Sequence, residues 1–163
     1  MKISDEQLLK TYDLYYKILF KIAYSYTFNS LDAEDIVQES FIKFCEKTYN
    51  EDELYNRNWL IRVTINKCVS FLRKKKSEIK ALNSIREGNC LNDYEEDDKT
   101  LIIQKCLDKL DHNSKNIIIL YYYNDFSVKE ISTYLNISIS NVTTRLNRAR
   151  EKLKIFIKKE VSD

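Results

Sequence analysis

The 163-residue chain has no proline and one glycine, Gly88. That scarcity excludes designs that depend on positive φ or close backbone approach: phosphate-cradling loops, dinucleotide-binding turns, tight two-residue hairpins and Gly/Pro-rich disorder. Chains so poor in turn punctuation are usually helical, and the expected fold class is all-α. Histidine is equally scarce. His112 stands alone in a polar stretch between two apolar runs, so a histidine triad or His-rich metal site has little to be built from. It reads as a loop or first-turn residue. The four cysteines, Cys45, Cys68, Cys90 and Cys106, form no C-x-x-C pair; neither a zinc knuckle nor a disulfide framework is expected. Cys45, Cys68 and Cys106 fall on apolar helical positions and read as small buried hydrophobes. Cys90, in a polar stretch, is a candidate exposed thiol. No apolar run approaches the ~20 residues of a membrane span, and the opening residues read as having no signal-peptide core. The expectation is a reducing, cytoplasmic protein with no metal, no cofactor, no small-molecule substrate and no direct membrane insertion.

What is present is charge, arranged in blocks. Lys and Arg number 27 against 25 Asp and Glu, a net +2 that by itself points to no partner. Two apolar-periodic halves flank a charged segment over residues 77–100, which holds the glycine and the acidic run Asp93-Tyr-Glu-Glu-Asp-Asp98. Such a run repels itself and favours an extended connection. The expected organisation is a helical domain over 1–76, a flexible acidic linker over 77–100 and a second helical domain over 101–163.

In the first half, Ser4-x-x-Gln7 suits a capping box, and Leu9, Tyr12, Tyr16, Leu19, Phe20 and Ala23 recur at helical spacing. After the N-cap residues around Asn29, a helix is expected over 32–46 with Ile36, Val37, Phe41 and Phe44 as its apolar stripe. A polar break over 48–57 and a helix over about 58–75 complete the half. In the second half, Leu101, Ile103, Cys106, Leu107 and Leu110 form one stripe. Residues 116–123 read as helix because their neighbours do, although Ile117-Ile-Ile119 would also suit a strand.

Residues 127–154 carry the most information. A capping box at Ser127-x-x-Glu130, a short turn at Asn136 and a helix from Ile139 to about Lys158 make a helix-turn-helix plan. Asn tolerates the left-handed conformation such a turn needs, and Ser138 can cap the second helix. In that helix Val142, Leu146, Ala149 and Leu153 share one face, while Asn141, Thr144, Arg145 and Arg148 share another. From Thr143 to Lys159 the charge is +6. Polar groups at the start and bases behind them suit base edges and phosphates in a major groove; the plainer alternative is a solvated basic helix on a bundle.

Residues 57–76 carry seven bases and no acid. Asn58, Trp59, Asn66 and Ser70 are interleaved, and Tyr49 and Tyr55 lie just before. Bases holding phosphate and aromatics stacking on exposed bases describe a single-strand surface. Read plainly, Trp59 is a core anchor and Lys74-Lys75-Lys76 a solvated helix end.

Three ordered segments resemble the bacterial extracytoplasmic-function (ECF) type of RNA polymerase sigma factor: Asp32-Ala-Glu-Asp-Ile-Val-Gln-Glu-Ser-Phe41, Asn58-Trp-Leu-Ile-Arg-Val-Thr-Ile-Asn66, and Phe126-Ser-Val-Lys-Glu-Ile through Asn141-Val-Thr-Thr-Arg-Leu-Asn-Arg-Ala-Arg150. The resemblance implies a region 2 helical bundle and a region 4 helix-turn-helix. It implies that Asp35, Gln38 and Phe41 contact core RNA polymerase. It implies −10 DNA contacts by Tyr49, Asn58, Trp59, Arg62, Asn66, Arg73 and Lys74, with Asn66 and the 49–56 loop receiving a flipped base. It implies −35 contacts by Asn141, Thr143, Thr144, Arg145, Asn147 and Arg148. The implied partners are core polymerase, promoter DNA and an anti-sigma factor, often membrane-anchored in such families. The chain departs from the family's pattern at Asp111, where proline is usual, at Asp125 and Asn136, where glycine is frequent, and at Ser132, where alanine is. A 24-residue linker over 77–100 reaches at most ~80 Å, against promoter elements about 70 Å apart, and its acidic run is a candidate nucleic-acid mimic in the polymerase channel. The expected function is promoter-specific initiation without catalytic activity. The alternative is a free-standing helix-turn-helix regulator that binds its operator without polymerase.

Overall fold

The computed structural model describes residues 2–47, 49–83 and 97–162. Among these residues every regular element is helical and there is no strand. The chain forms two compact units divided between Glu78 and Ile79.

The N-terminal unit begins with α1 (Asp5–Thr27) and α2 (Ser30–Glu46). The expected capping box is present: the Ser4 hydroxyl accepts from the Gln7 N–H at 3.2 Å and the Gln7 side chain accepts from the Ser4 N–H at 2.9 Å. With no glycine available, α1 ends on Phe28 in the left-handed region at φ 50°. Asn29 then caps α2 by accepting from the Asp32 N–H at 3.0 Å. α3 (Glu53–Asn83) follows. Its core residues Leu60, Ile61, Ile65 and Cys68 are buried, as are Leu19, Ile22 and Ala23 of α1 and Ala33, Val37 and Phe44 of α2. Two buried hydroxyls satisfy each other: Thr64 donates to Ser40 at 3.2 Å, and Ser40 donates to the Ile36 carbonyl at 2.8 Å. That pair ties α3 to α2 without leaving a polar group orphaned in the core.

α3 is longer than expected at both ends. The polar break shrinks because the Asp52 carboxylate accepts from the N–H groups of Leu54 and Tyr55 at 2.9 and 3.4 Å, capping a helix that starts at Glu53. At the other end the helix does not stop near Lys75 but runs through Asn83, into the segment expected as linker. Residues 77–83 mix polar and apolar side chains, include the good helix formers Glu78, Lys80, Ala81 and Leu82 and hold no Gly or Pro, so nothing there halts propagation. Gly88, Cys90 and most of the acidic run fall within 84–96, outside the described residues.

The C-terminal unit comprises α4 (Asp98–Asp108), α5 (His112–Ile118), a π turn (Ile119–Tyr123), α6 (Val128–Leu135) and α7 (Ile139–Ser162). α4, α5 and α6 each pack on α7, burying Cys106, Leu107, Ile117, Leu120, Ile131, Val142, Leu146 and Ala149. His112 is exposed in the first turn of α5. Residues 116–123 are helical but not uniformly α, since the wider π turn replaces the last α turns.

The departures from the family pattern have local reasons. Asp111 lies at φ −65°, the angle a proline ring would impose, and it also caps α5. Its carboxylate accepts from the Ser114 hydroxyl at 2.7 Å, the Ser114 N–H at 3.2 Å and Lys152 Nζ at 3.3 Å. These bonds, the Ser114 hydroxyl first, hold its pKa down to about 2. Asp125 and Asn136 both take positive φ, at 55° and 54°; Asp and Asn are among the non-glycine residues that tolerate this best.

Candidate nucleic-acid interface

In the N-terminal unit, the segment between α2 and α3 is preorganised by its own side chains. Asn50 accepts from the Asp52 N–H at 2.9 Å, and the Asn56 amide donates back to the Asn50 carbonyl at 2.6 Å. Behind this loop is an aromatic cluster. The Phe44 ring lies 5.7 Å from Trp59 and 6.4 Å from half-buried Tyr49. The Lys47 ammonium lies within the cluster, 4.4 Å from the Tyr55 ring centre, 4.6 Å from Trp59 and 5.4 Å from Phe44. Lys47 Nζ is buried without a hydrogen-bond partner, and so is Asn56 Oδ1. Burial pulls the Lys47 pKa below the ordinary lysine value. Trp59 is therefore both a core anchor and part of a half-buried aromatic surface. The π-faces stabilise Lys47 by cation–π attraction, but offer its three N–H donors no conventional acceptor.

α3 presents Arg62, Asn66 and Arg73 at i, i+4 and i+11, all exposed, with Lys74 beside them; Asn58 is half-buried near its start. Asn66 and Lys74 line an open groove of about 520 Å³ whose other wall is α2, including Asp35 and Glu39. Lys67 bridges the walls by pairing with Glu39 at 3.0 Å. Asp35, expected to face polymerase, and Asn66 and Lys74, expected to face DNA, thus share one groove. Gln38 is exposed on α2. Phe41 is mostly buried, 6% exposed, with its ring 4.9 Å from Tyr12. Its place on the apolar stripe joins α1 to α2, and the same side chain lines an open apolar pocket with Leu9, Tyr12 and Ile42.

In the C-terminal unit, side chains lock the turn between α6 and α7. Ser127 and Glu130 form the expected capping box, with bonds of 2.8 and 3.1 Å. The Ser132 hydroxyl donates to the Ile137 carbonyl at 2.5 Å, and the Ile137 N–H donates to the Ser132 carbonyl at 3.2 Å. An alanine at 132 could make only the second of these bonds. Ser138 caps α7 by accepting from the Asn141 N–H at 3.1 Å. Val142, Leu146 and Ala149 are buried and Leu153 half-buried, as the stripe predicts. Thr143, Thr144, Asn147 and Arg148 are exposed; Asn141 and Arg145 are half-buried at the edge. Thr143 donates its hydroxyl to the Ile139 carbonyl at 3.0 Å, leaving that oxygen only as an acceptor.

Sequence reasoning missed Lys47 beside the aromatic cluster and Arg150 held by two tyrosines, and included Asn56 only as the end of the 49–56 loop. A lone base set among Phe44, Tyr49, Tyr55 and Trp59 was the available signal for Lys47. Among the described residues, no group of three or more His, Cys, Asp or Glu could hold a metal ion, and no helix is long and apolar enough to cross a membrane.

Comparisons with known proteins agree with this geometry. The Sigma-70 region 2 family model matches residues 11–78, and the Sigma-70 region 4 model matches residues 100–153. The chain is 31% identical to RNA polymerase sigma factor SigV of Bacillus subtilis over 144 residues, covering 86% of this chain and 85% of that protein. It is 27% identical to the ECF RNA polymerase sigma factor SigM of the same organism over 156 residues, covering 93% and 96%. In fold it is similar to the sigma factor RpoE from Bartonella quintana, solved in complex with the anti-sigma factor NepR, with a TM-score of 0.57, 23% identity and coverage of 94% and 95%. A free-standing helix-turn-helix regulator leaves the region 2 match over 11–78 unexplained. The chain belongs to the ECF family of RNA polymerase sigma factors, non-catalytic initiation factors that bring core polymerase to promoter DNA and promote its melting.

Proposed function

We propose that the two units divide promoter recognition between an unpaired −10 base and an intact −35 duplex. In the N-terminal unit, Asn66 and the 49–56 loop receive the flipped base, with Tyr49 and Trp59 as the aromatic backing. Asn58, Arg62, Arg73 and Lys74 hold the strand's phosphates and sugars, and Asp35, Gln38 and Phe41 face core polymerase. In the C-terminal unit, Asn141, Thr143, Thr144, Arg145, Asn147 and Arg148 contact the −35 groove. The observation that carries the −10 assignment is the aromatic cluster with two buried polar atoms lacking partners, Lys47 Nζ and Asn56 Oδ1, beside a basic helix face. An unstacked nucleotide supplies what that surface lacks: a π-face, acceptors and donors on the base edge, and a phosphate.

The protein acts in the cytoplasm, where core polymerase works, and an anti-sigma partner holds it inactive. The RpoE–NepR complex supports the second statement by its likeness in fold.

The test is Asn66→Ala in reconstituted holoenzyme. Strand opening, read by permanganate reactivity of unpaired thymines, should fall by about tenfold, the loss of one or two hydrogen bonds to the flipped base. Binding to core polymerase should be unchanged. Undiminished opening would remove Asn66 from the base pocket.

A further inference from the structure

The strongest unassigned feature is a basic side chain held by neutral rings. Arg150 of α7 lies with its guanidinium carbon 5.1 Å from the Tyr121 ring centre and 5.6 Å from that of Tyr122. The two rings meet edge to face at 5.0 Å. Arg150 Nε–H donates to the Tyr122 hydroxyl at 2.6 Å, and Nη1 donates to Asn147 Oδ1 at 3.4 Å. Lys109, Lys115 and Lys152 of the same unit each pair with a carboxylate. Arg150 pairs with none among the described residues, so its charge is fixed in place but not neutralised.

The tyrosines owe their position to the π turn, in which the Asn124 N–H reaches back to the Ile119 carbonyl at 3.3 Å. Such a turn widens the helix and redirects its side chains; π segments occur often at functional sites. Here it brings two successive rings to one guanidinium. Arg150 follows Thr143 by seven residues and Asn147 by three along one line of α7, next to the buried Val142–Leu146–Ala149 stripe. That line is the flank of the helix, where backbone phosphates lie when the outer face enters a groove.

We propose that Arg150 and Tyr122 form a composite site for a backbone phosphodiester at the edge of the −35 contact, with Tyr121 and the π turn as its support. Arg150 contributes charge and its outward N–H donors. The Tyr122 oxygen accepts from Arg150, which turns its own proton outward, and the residue is 51% exposed. A guanidinium already fixed in one rotamer loses little entropy on binding. The Arg150–Asn147 bond carries that fixation to a residue in the groove. The proposal rests on the −35 reading.

The experiment measures holoenzyme affinity for a promoter duplex across a salt series, for Arg150→Gln, Tyr122→Phe and the double variant, with Arg148→Gln as a reference. Arg150→Gln should weaken binding by about tenfold on all −35 sequences alike and flatten the salt slope by ~0.9, one phosphate contact. Tyr122→Phe should weaken binding by about threefold with the slope kept, the loss of one hydrogen bond, and should add nothing once Arg150 is gone. An unchanged salt slope in Arg150→Gln, with a lowered unfolding midpoint in the free chain, would make the cluster a structural staple and overturn the site. If Arg148→Gln impairs binding and Arg150→Gln does not, this site alone fails. If neither impairs it, the −35 reading fails as well.

Discussion

The two units carry similar positive charge in opposite settings. In the N-terminal unit the bases of α3 face the acids of α2 across a groove, and Lys67 is already paired with Glu39. Its aromatic cluster is half-buried and contains a lysine with no hydrogen-bond acceptor. In the C-terminal unit α7 presents its polar residues outward, and its turn is closed by side-chain hydrogen bonds. The first arrangement suits an unstacked nucleotide, which must find a π-face and edge partners to repay the few kcal/mol of flipping. The second suits an intact duplex, whose base edges are read by a rigid helix without deformation of the reader. Charge alone does not distinguish a surface for single strands from one for duplex; the depth of the surface and the satisfaction of its polar groups do.

If the units are as separate energetically as they are structurally, damage to one core should leave the other standing. Leu146→Ala empties a site 3% exposed and should cost the C-terminal unit about 3 kcal/mol. The only tryptophan, Trp59, belongs to the N-terminal unit. Urea unfolding followed by its fluorescence should keep its midpoint, while the helical circular-dichroism signal acquires an earlier transition. A common shift of both signals would mean the units unfold as one.

A smaller effect separates their response to acid. The Asp111 pKa is about 2 in the folded chain, below the ~3.9 of a free aspartate. Folding therefore favours the ionised form. The stabilisation is complete above the unfolded pKa and is lost as the pH falls from about 4 through 2. Because the carboxylate is exposed, its worth is that of an ordinary helix cap, about 1 kcal/mol. Asp111→Ala should lower C-terminal stability by that amount at neutral pH and remove this part of the acid dependence, as measured by urea midpoints between pH 2 and 6.

An effect of similar size, without pH dependence, concerns the turn. Asn136→Ala should cost about 1 kcal/mol, because alanine resists the left-handed region, whereas Asn136→Gly should match or slightly exceed the wild-type midpoint. A neutral alanine variant would show that the turn relaxes into another conformation.

Features with a local cause were readable in the sequence. The capping boxes at Ser4 and Ser127, the turn at Asn136 and the buried stripe of α7 follow from residue spacing and each side chain's own hydrogen bonds. Features caused by distant residues were not. The end of α3 is an exception with a local cause: the helix continues to Asn83 because no breaker intervenes, and a charged stretch was mistaken for a break. The π turn at Ile119–Tyr123 has no compositional mark; its tyrosines meet Arg150 only once α5 packs on α7. Lys47 looks like a solvated helix end until α3 brings Tyr55 and Trp59 around it. The burial of Phe41 was readable from its apolar stripe; the open pocket it lines with Leu9 and Ile42 was not, because α1 supplies half of the lining.

We propose that this chain confers promoter specificity through two separate DNA surfaces. Run-off transcription with purified core polymerase on genomic fragments tests it most directly. Discrete transcripts absent with core alone are expected, strongly reduced by Asn66→Ala in one unit or by Arg148→Gln in the other. No promoter-specific transcript above core alone, across a broad fragment set, would contradict it.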